Sequence, residues 1–422
     1  MTTNTSRLFA ASRVALVVTA MSFALRGAAM GPWAAAFNLS KEQIGWIDNT
    51  AFWGFTVAMV AGGPLCDVLG LGRIVAVAFV GHLAAIILTI FAWDFWSLYV
   101  GTLLFGIANG SVEAACNPLI ATLYPTDKTT KLNHFHVWFP GGIVLGGVLA
   151  YVLGRAGLGY KVQFASLLIP LVAYGGMFLG QSFPRTERVA QGVPTKTMYA
   201  ACLHPLFLLL VLCMMMTAST ELGPNQWIPA LLTNAGVPGI LVLAWINGLM
   251  AVGRQCAGTF VHRLSPSGML VASAVLSAAG LYAISHSTGG LLFVTATVFA
   301  LGVCFFWPTM LGYVNENFPK TGAVGLAIMG GAGMLGAGFA QPVIGRMVDQ
   351  GVAVRIPTGQ TASALAAAPA GGELGQLWLK IQADAGLAAL GRVAVLPVIL
   401  SVVFAALWFF RRARRAPAPA PG

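Results

Sequence analysis

Twelve long apolar segments run through this chain, and they constrain its fold more than any other feature. Of the 422 residues 58% are hydrophobic and only 8% are charged, too few charges to cover a water-soluble surface. A helix of about 20 apolar residues crosses the roughly 30 Å hydrocarbon core of a bilayer. The sequence therefore predicts an all-α membrane protein with twelve transmembrane helices, surrounded by lipid. The segments lie near residues 13–37, 43–66, 73–93, 97–124, 134–156, 161–182, 205–232, 238–263, 267–286, 289–317, 321–348 and 386–410.

The basic residues indicate how the chain is oriented in the membrane and do not indicate a nucleic-acid partner. A net charge of +11 suits nucleic-acid binding, but the Lys and Arg residues are scattered between the apolar segments and form no patch. They concentrate in the loops on one side of the predicted membrane, as the positive-inside rule describes for cytoplasmic loops. We therefore expect no nucleic-acid partner and a multi-pass protein of the inner membrane with both termini in the cytoplasm. The first apolar segment is too long for a cleaved signal, so the first helix is retained.

The chain divides into two halves with internal repeats. The polar connection 183–204 separates an N-terminal half, 1–182, from a C-terminal half, 205–415, and an Ala-Pro tail, 416–422, that we expect to be disordered. Short motifs recur at similar separations: Gly63–Asp67 corresponds to Gly258–His262, and Gly142 corresponds to Gly333. Two repeated halves with a site near the membrane midplane are typical of secondary transporters.

Glu113 is the most informative single residue. It lies near the middle of the fourth segment, where a carboxylate costs several kcal/mol unless it is protonated, paired or in contact with water. Asn117 and Pro118 follow one helical turn later, so a second polar group lies on the same face and the backbone there is loosened. Two interpretations stay open: Glu113 is a functional site, or it is a protonated group that cross-links two helices.

The loop after the second segment, Gly63–Arg73, resembles the signature loop between helices two and three of the major facilitator superfamily. The resemblance implies two pseudo-symmetric six-helix halves that alternate in opening to the two sides of the membrane. It also implies a gating role on the cytoplasmic side. The gating residues would be Gly63, Asp67, Gly70 and Arg73.

Two further motifs resemble the fucose–galactose–glucose:proton symporter family within this superfamily. Glu113–Pro118 is similar to its Glu-Thr-Ala-Ala-Asn-Pro motif, and Lys131–His136 with the glycines that follow is similar to its fifth-helix pattern. The resemblance implies that Glu113 binds sugar hydroxyls or carries a proton, and that Asn117 and His136 line the cavity. The first helix departs from that family, because it has no acid before Pro32.

In this superfamily the cavity is lined mainly by helices one, four, seven and ten, and each has one conspicuous residue here. These residues are Arg26, Glu113, Glu221 and Trp307. Arg26 and Glu221 occupy equivalent positions in the two halves, which predicts that they face each other. Arg26 cannot lose its proton and needs a carboxylate, a carbonyl or water, and Glu113 is the rival partner. A permanent ion pair and a pair that breaks during transport both stay open.

Other side chains on the cavity helices suit a sugar, whose C–H face stacks on aromatic rings while its hydroxyls bind polar groups. Glu113 and Glu221 are the predicted proton carriers. No cofactor is expected. No metal site is expected either, since His134 and His136 lie two residues apart and do not share a helix face. The remaining predicted substrate-binding residues are Trp138, Asn225, Gln226, Trp227 and Asn247.

The sequence thus predicts a monomeric secondary active transporter rather than an enzyme. It would move a small neutral solute, a sugar or polyol, together with protons by alternating access. The alternative within the same fold is a proton-coupled exporter of lipophilic or cationic compounds. A membrane receptor or scaffold is the alternative from another class, but the charged groups at mid-membrane would then serve nothing.

Overall fold

The computed structural model describes residues 4–126, 128–185, 195–255, 265–369 and 371–415, and these ranges fold into helices joined by short turns. Eleven helices are long and apolar enough to cross a membrane, and a shorter apolar helix, Gly239–Gln255, accounts for the eighth predicted segment. The predicted twelve-helix, all-α membrane fold is confirmed. Part of the 183–204 connection, the Gly258–His262 motif and the 416–422 tail lie outside the described residues.

The helices of the first half are α1 (Thr5–Phe37), α2 (Lys41–Leu69), α3 (Leu71–Ile90), α4 (Phe95–Leu123), α5 (Lys128–His136), α6 (Trp138–Arg155), α7 (Tyr160–Ala165) and α8 (Leu168–Phe178). A short helix, α9 (Thr195–Cys202), precedes the second half. The helices of that half are α10 (Pro205–Asn234), α11 (Gly239–Gln255), α12 (Pro266–Ser285), α13 (Leu291–Val303), α14 (Phe306–Asn317), α15 (Gly322–Ala353), α16 (Ala362–Ala367), α17 (Glu373–Val393) and α18 (Val395–Arg415).

Four breaks in the helical path have a common cause in the sequence. The breaks at Val137, Leu167, Phe305 and Ala394 each lie three residues before a proline. Proline has no backbone N–H to donate to the carbonyl four residues earlier, and its ring crowds that carbonyl. The chain therefore bends between the paired helices α5 and α6, α7 and α8, α13 and α14, and α17 and α18.

The ends of α2 define the two faces of the bundle. At one end, Asn38 adopts a left-handed conformation (φ 51°), and Ser40 begins α2 with a capping box shared with Gln43. At the other end, Gly70 (φ 86°) makes the turn into α3 in a backbone region that favours glycine. We call the first end the α1–α2 face and the second the α2–α3 face.

The two halves meet closely at the α1–α2 face, through α2 and α15. Gly45 lies so near α15 that an added Cβ would come 2.5 Å from the carbonyl oxygen of Gln341. Nearer the middle of α2, the Thr56 hydroxyl donates a hydrogen bond to the Gly331 carbonyl at 3.0 Å. Small residues at such crossings let two helix backbones approach each other in a membrane protein.

A polar latch also joins the halves at this face. Asp349 of α15 accepts hydrogen bonds from the backbone N–H groups of Lys41 and Glu42, at 3.1 and 2.9 Å. A carboxylate of one half thus caps the first turn of a helix in the other half, where the helix dipole favours negative charge. Arg346 adds an exposed ion pair with Glu42 at 2.5 Å.

We expect Asp349→Asn to open this face more often, because it removes the charge from the cap. A helix cap or dipole interaction contributes about 1 kcal/mol, which is about a fivefold change in the closed-to-open ratio. The measurement is the alkylation rate of Asn49→Cys, since Asn49 is fully buried in the closed interface. Glu373→Gln, at an exposed carboxylate near the same face, is the control. Equal alkylation rates in Asn49→Cys alone and in Asn49→Cys combined with Asp349→Asn would show that the cap does not hold the face closed.

Candidate functional site

Glu113, Asn117 and His136 form one hydrogen-bonded cluster. Asn117 lies one helical turn after Glu113 on α4, and its Nδ2 donates to Glu113 Oε2 at 2.7 Å. Asn117 Oδ1 lies 3.1 Å from His136 Nε2, and His136 Nδ1 lies 3.9 Å from Glu113 Oε1. The Glu113 side chain is 8% exposed and that of His136 is 45% exposed. The cluster therefore links a nearly buried carboxylate to an accessible imidazole, which can pass a proton between the surface and the interior.

Arg26 forms a buried ion pair with Asp48 of α2. The contact joins Nη1 of Arg26 to Oδ1 of Asp48, and the two side chains are 0% and 1% exposed. The guanidinium also lies over the ring of Phe23, 4.5 Å from its centroid. Nε and Nη2 of Arg26 and Oδ2 of Asp48 have no hydrogen-bond partner among the described residues. Removal of either charge would leave the other buried and unpaired.

Glu221 pairs with Arg254 inside the second half. Nη2 of Arg254 lies 3.2 Å from Glu221 Oε1, and Nε of Arg254 donates to the Cys304 carbonyl at 3.0 Å. The Arg254 side chain is 20% exposed, whereas Glu221 is 7% exposed. Oε2 of Glu221 has no partner among the described residues. This pair thus presents a partly exposed guanidinium held by a carboxylate with one unused oxygen.

The predicted pairing of Arg26 with Glu221 is wrong, and so is the rival pairing with Glu113. Each half instead pairs its charge internally, between its first and second helices: α1 with α2 and α10 with α11. Positions that the predicted repeat makes equivalent need not face each other, because the partner of a charge depends on which neighbouring helix lies beside it.

The other predicted site residues differ in how deeply their side chains are buried. Asn225 and Gln226 are buried, and the side-chain oxygen of each has no partner among the described residues. Trp227 is fully buried and packs in the core, and Asn247 is buried and donates to the Leu243 carbonyl at 2.9 Å.

The two remaining predicted tryptophans are more accessible. Trp138 is 40% exposed at the start of α6, one residue after the break at Val137. Trp307 is half-buried, and its ring lies against Gly333 of α15. These two rings are therefore the accessible aromatic candidates for contact with a solute, and that role stays a prediction.

The predicted gating loop lies at the α2–α3 face. Gly63 and Arg73 are exposed, and Asp67 is half-buried at the end of α2. The start of α3 lies against the segment after α8, since an added Cβ on Gly72 would come 2.9 Å from the Phe183 ring. The gating role of Gly63, Asp67, Gly70 and Arg73 stays a prediction.

Sequence reasoning missed Asp48 and Arg254 as the partners of the two charges. The available signal was the rarity of charged residues within apolar segments, since each such group needs a partner. It also missed a buried network in the first half. His82 lies 3.0 Å from the Tyr174 hydroxyl and 2.8 Å from Asn109 Oδ1, so its two ring nitrogens both have partners.

Comparison with known proteins identifies the family. Residues 14–340 match the Major Facilitator Superfamily. The 3-(3-hydroxy-phenyl)propionate transporter of Escherichia coli (strain K12) is 28% identical, covering 77% of this chain and 82% of that protein. The cis,cis-muconate transport protein of Acinetobacter baylyi is 26% identical, covering 80% and 86%. The D-xylose transporter of Levilactobacillus brevis is 25% identical but covers only 34% of this chain and 32% of that protein.

Solved structures agree at the level of the fold. A bacterial homologue of the human lysosomal transporter Spinster superposes with a TM-score of 0.77 at 14% identity, covering 98% of this chain and 99% of that one. The relatives include transporters of aromatic acids and of xylose, so the narrower resemblance to the fucose–galactose–glucose symporters is not supported beyond the superfamily. The family match covers well over half of the chain, which therefore belongs to the Major Facilitator Superfamily of transporters.

Proposed function

We propose that this protein is a proton-coupled secondary transporter of a small organic acid. The observation that carries the proposal is the Glu221–Arg254 pair, an accessible guanidinium held by a carboxylate inside the second half. Arginine is suited to this role because its planar fork of N–H donors matches a carboxylate group.

The pair supplies a mechanism for binding a proton and an anion together. While Glu221 is charged, it occupies the guanidinium and competes with a carboxylate substrate. When Glu221 takes up a proton, its negative charge disappears and Arg254 becomes free to bind the substrate carboxylate. The proton and the substrate anion then cross as an electrically neutral load, which avoids carrying net charge through a low-dielectric site.

The relatives that cover most of this chain support an acidic substrate. Hydroxyphenylpropionate and muconate are both carboxylates, and both transporters match more than three quarters of this chain. A gallate transporter of Pseudomonas putida, 25% identical over 75% of this chain, adds a third carboxylate. An exporter of cationic compounds is less favoured, because Arg254 would repel a cationic substrate.

A sugar or polyol is the second candidate, and the Glu113–Asn117–His136 cluster favours it. These side chains offer hydrogen-bond donors and acceptors of the kind that bind hydroxyl groups. The partial match to the D-xylose transporter agrees with this candidate. Under this alternative the cluster binds the solute and the Glu221–Arg254 pair stabilises the second half.

We expect Arg254→Gln to weaken the binding of 3-phenylpropionate by about 100-fold, because a charge-assisted bidentate contact contributes about 1.5–3 kcal/mol. Glu221→Gln should keep the binding and remove its dependence on pH, since Gln resembles the protonated acid. The measurement is equilibrium binding to the purified protein between pH 5 and 8, followed by uptake into proteoliposomes.

The control is Arg392→Gln, because Arg392 is an exposed arginine outside this site. Saturable uptake of D-xylose without any uptake of carboxylates would reject the organic-acid proposal and favour the second candidate. Unchanged 3-phenylpropionate binding in Arg254→Gln would remove Arg254 from the site.

A further inference from the structure

A cavity lies between the two halves at the α1–α2 face, away from the Glu221–Arg254 pair. Its volume is about 260 Å³, a little below the roughly 300–1,000 Å³ range of sites for drug-sized molecules. One wall comes from the first half and includes Ala28, Tyr151 and Arg155. The opposite wall comes from the second half and includes Pro229 and Thr233.

The chemistry of the walls selects one kind of occupant. Most of the lining is apolar, formed by proline, alanine, glycine and isoleucine. Arg155 ends α6 at this face, is exposed, and has no ion pair within the described part of the chain. Tyr151 and Thr233 also line the cavity, and the Thr233 hydroxyl donates a hydrogen bond to the Pro229 carbonyl. An apolar cavity with one unpaired guanidinium suits a single-ring compound that carries one carboxylate.

The shared lining couples occupancy of this cavity to the state of the transporter. Its two walls belong to different halves, so the cavity exists only while the α1–α2 face is closed. A ligand that binds one conformation and not the other shifts the population toward the conformation it binds. An occupant here therefore opposes the opening of the α1–α2 face.

We propose that this cavity is a second, inhibitory site for a small amphiphilic carboxylate, which bridges the two halves and holds the α1–α2 face closed. The site is distinct from the Glu221–Arg254 pair and does not depend on which solute is transported. If the transported solute is itself an aromatic acid, the site would slow transport at high solute concentration on this side of the membrane.

The test measures how 3-phenylpropionate changes the alkylation rate of Asn49→Cys in the purified full-length protein. Asn49 is fully buried in the closed interface and reacts only when the face opens. A ligand specific to the closed state lowers this rate by a factor of one plus its concentration divided by its Kd, so about tenfold at ten times the Kd. We expect this protection in Asn49→Cys alone and in Asn49→Cys combined with Arg254→Gln, which disables the proposed Glu221–Arg254 site.

Two substitutions in the cavity should remove the protection. Arg155→Gln removes the guanidinium and should weaken binding about tenfold or more. Gly154→Leu should fill the cavity with a larger side chain. The nearest atom to an added Cβ on Gly154 is Gln163 Nε2 at 3.9 Å, so the new side chain begins without a backbone clash. Gly176→Leu, at an exposed helical glycine with open space around it, is the matched control and should keep the protection.

Four results would overturn the proposal. The first is no protection in Asn49→Cys alone. The second is protection that persists when either Arg155→Gln or Gly154→Leu is added. The third is protection that disappears when Arg254→Gln is added, since the ligand would then act from the Glu221–Arg254 site. The fourth concerns lipid: if phosphatidylglycerol in nanodiscs alone gives the protection and Arg155→Gln removes it, the occupant is a lipid headgroup and not a small carboxylate.

Discussion

Asp48→Asn is expected to destabilise the protein by about 3–5 kcal/mol, because it leaves the Arg26 guanidinium buried without a counter-charge. Both side chains are almost completely buried, so neither charge can be screened by water. Arg26→Gln should be similarly harmful, because it leaves Asp48 unpaired. The double substitution should cost less than the sum of the two, by at least about 1 kcal/mol, as residues in contact require. The measurement is the free energy of unfolding in mixed micelles titrated with SDS.

Two further double-mutant cycles show whether the coupling is specific to the Arg26–Asp48 pair. The Arg26–Glu221 cycle should be additive, because these residues have different partners in the structure. The Glu42–Arg346 pair is exposed, and its cycle should show much weaker coupling than the buried pair. Additive effects of Asp48→Asn and Arg26→Gln, or coupling between Arg26 and Glu221, would contradict the pairing described here.

The sequence predicted the helices well because their signal is local. Each apolar segment carries its own length and hydropathy, and the bilayer imposes the same requirement on every segment. The Glu113–Asn117 contact was equally predictable, since residues four apart on a helix are neighbours. His136 came from the family resemblance, and the structure brings its ring to Asn117.

The partner of Arg26 was not predictable from position along the chain. α1 has 33 residues and is about 50 Å long at 1.5 Å per residue, so it exceeds the membrane core and must tilt or project. Counting residues therefore fixes neither the depth of Arg26 nor the helix that it faces. The register between α1 and α2 depends on packing, which no local pattern encodes.

The charged groups fall into two classes with different expected roles. Arg26 and Asp48 are both fully buried beside the closed α1–α2 face, which suits a fixed structural pair. Arg254 and His136 are accessible, and each is close to a nearly buried carboxylate, Glu221 and Glu113 respectively. Accessible partners can exchange with solvent or substrate. The two carboxylates are therefore the groups that proton coupling can use.

Glu113→Gln is expected to abolish concentrative uptake while exchange of substrate across the membrane continues, because the Glu113 cluster would deliver the proton that Glu221 holds beside Arg254. Glutamine keeps an oxygen to accept the hydrogen bond from Asn117, so the cluster can stay assembled, but it cannot take up a proton. With one proton carried per organic anion, an imposed difference of one pH unit supports about tenfold accumulation. The accumulation ratio of the variant should fall to about one in proteoliposomes.

His136→Gln tests whether His136 only relays the proton to Glu113. His136 lies 3.9 Å from Glu113 at the accessible side of the cluster, so its loss should slow proton delivery without changing the final accumulation ratio. Glu221→Gln should abolish accumulation as well, because the proposed mechanism places the coupled proton on Glu221 while Arg254 binds the substrate. If Glu113→Gln accumulates substrate as the parent does and Glu221→Gln does not, the coupled proton belongs to Glu221, and the Glu113 cluster serves the solute instead. If both variants lose accumulation, the proton passes between the two carboxylates during the cycle, and the two halves share one coupling reaction.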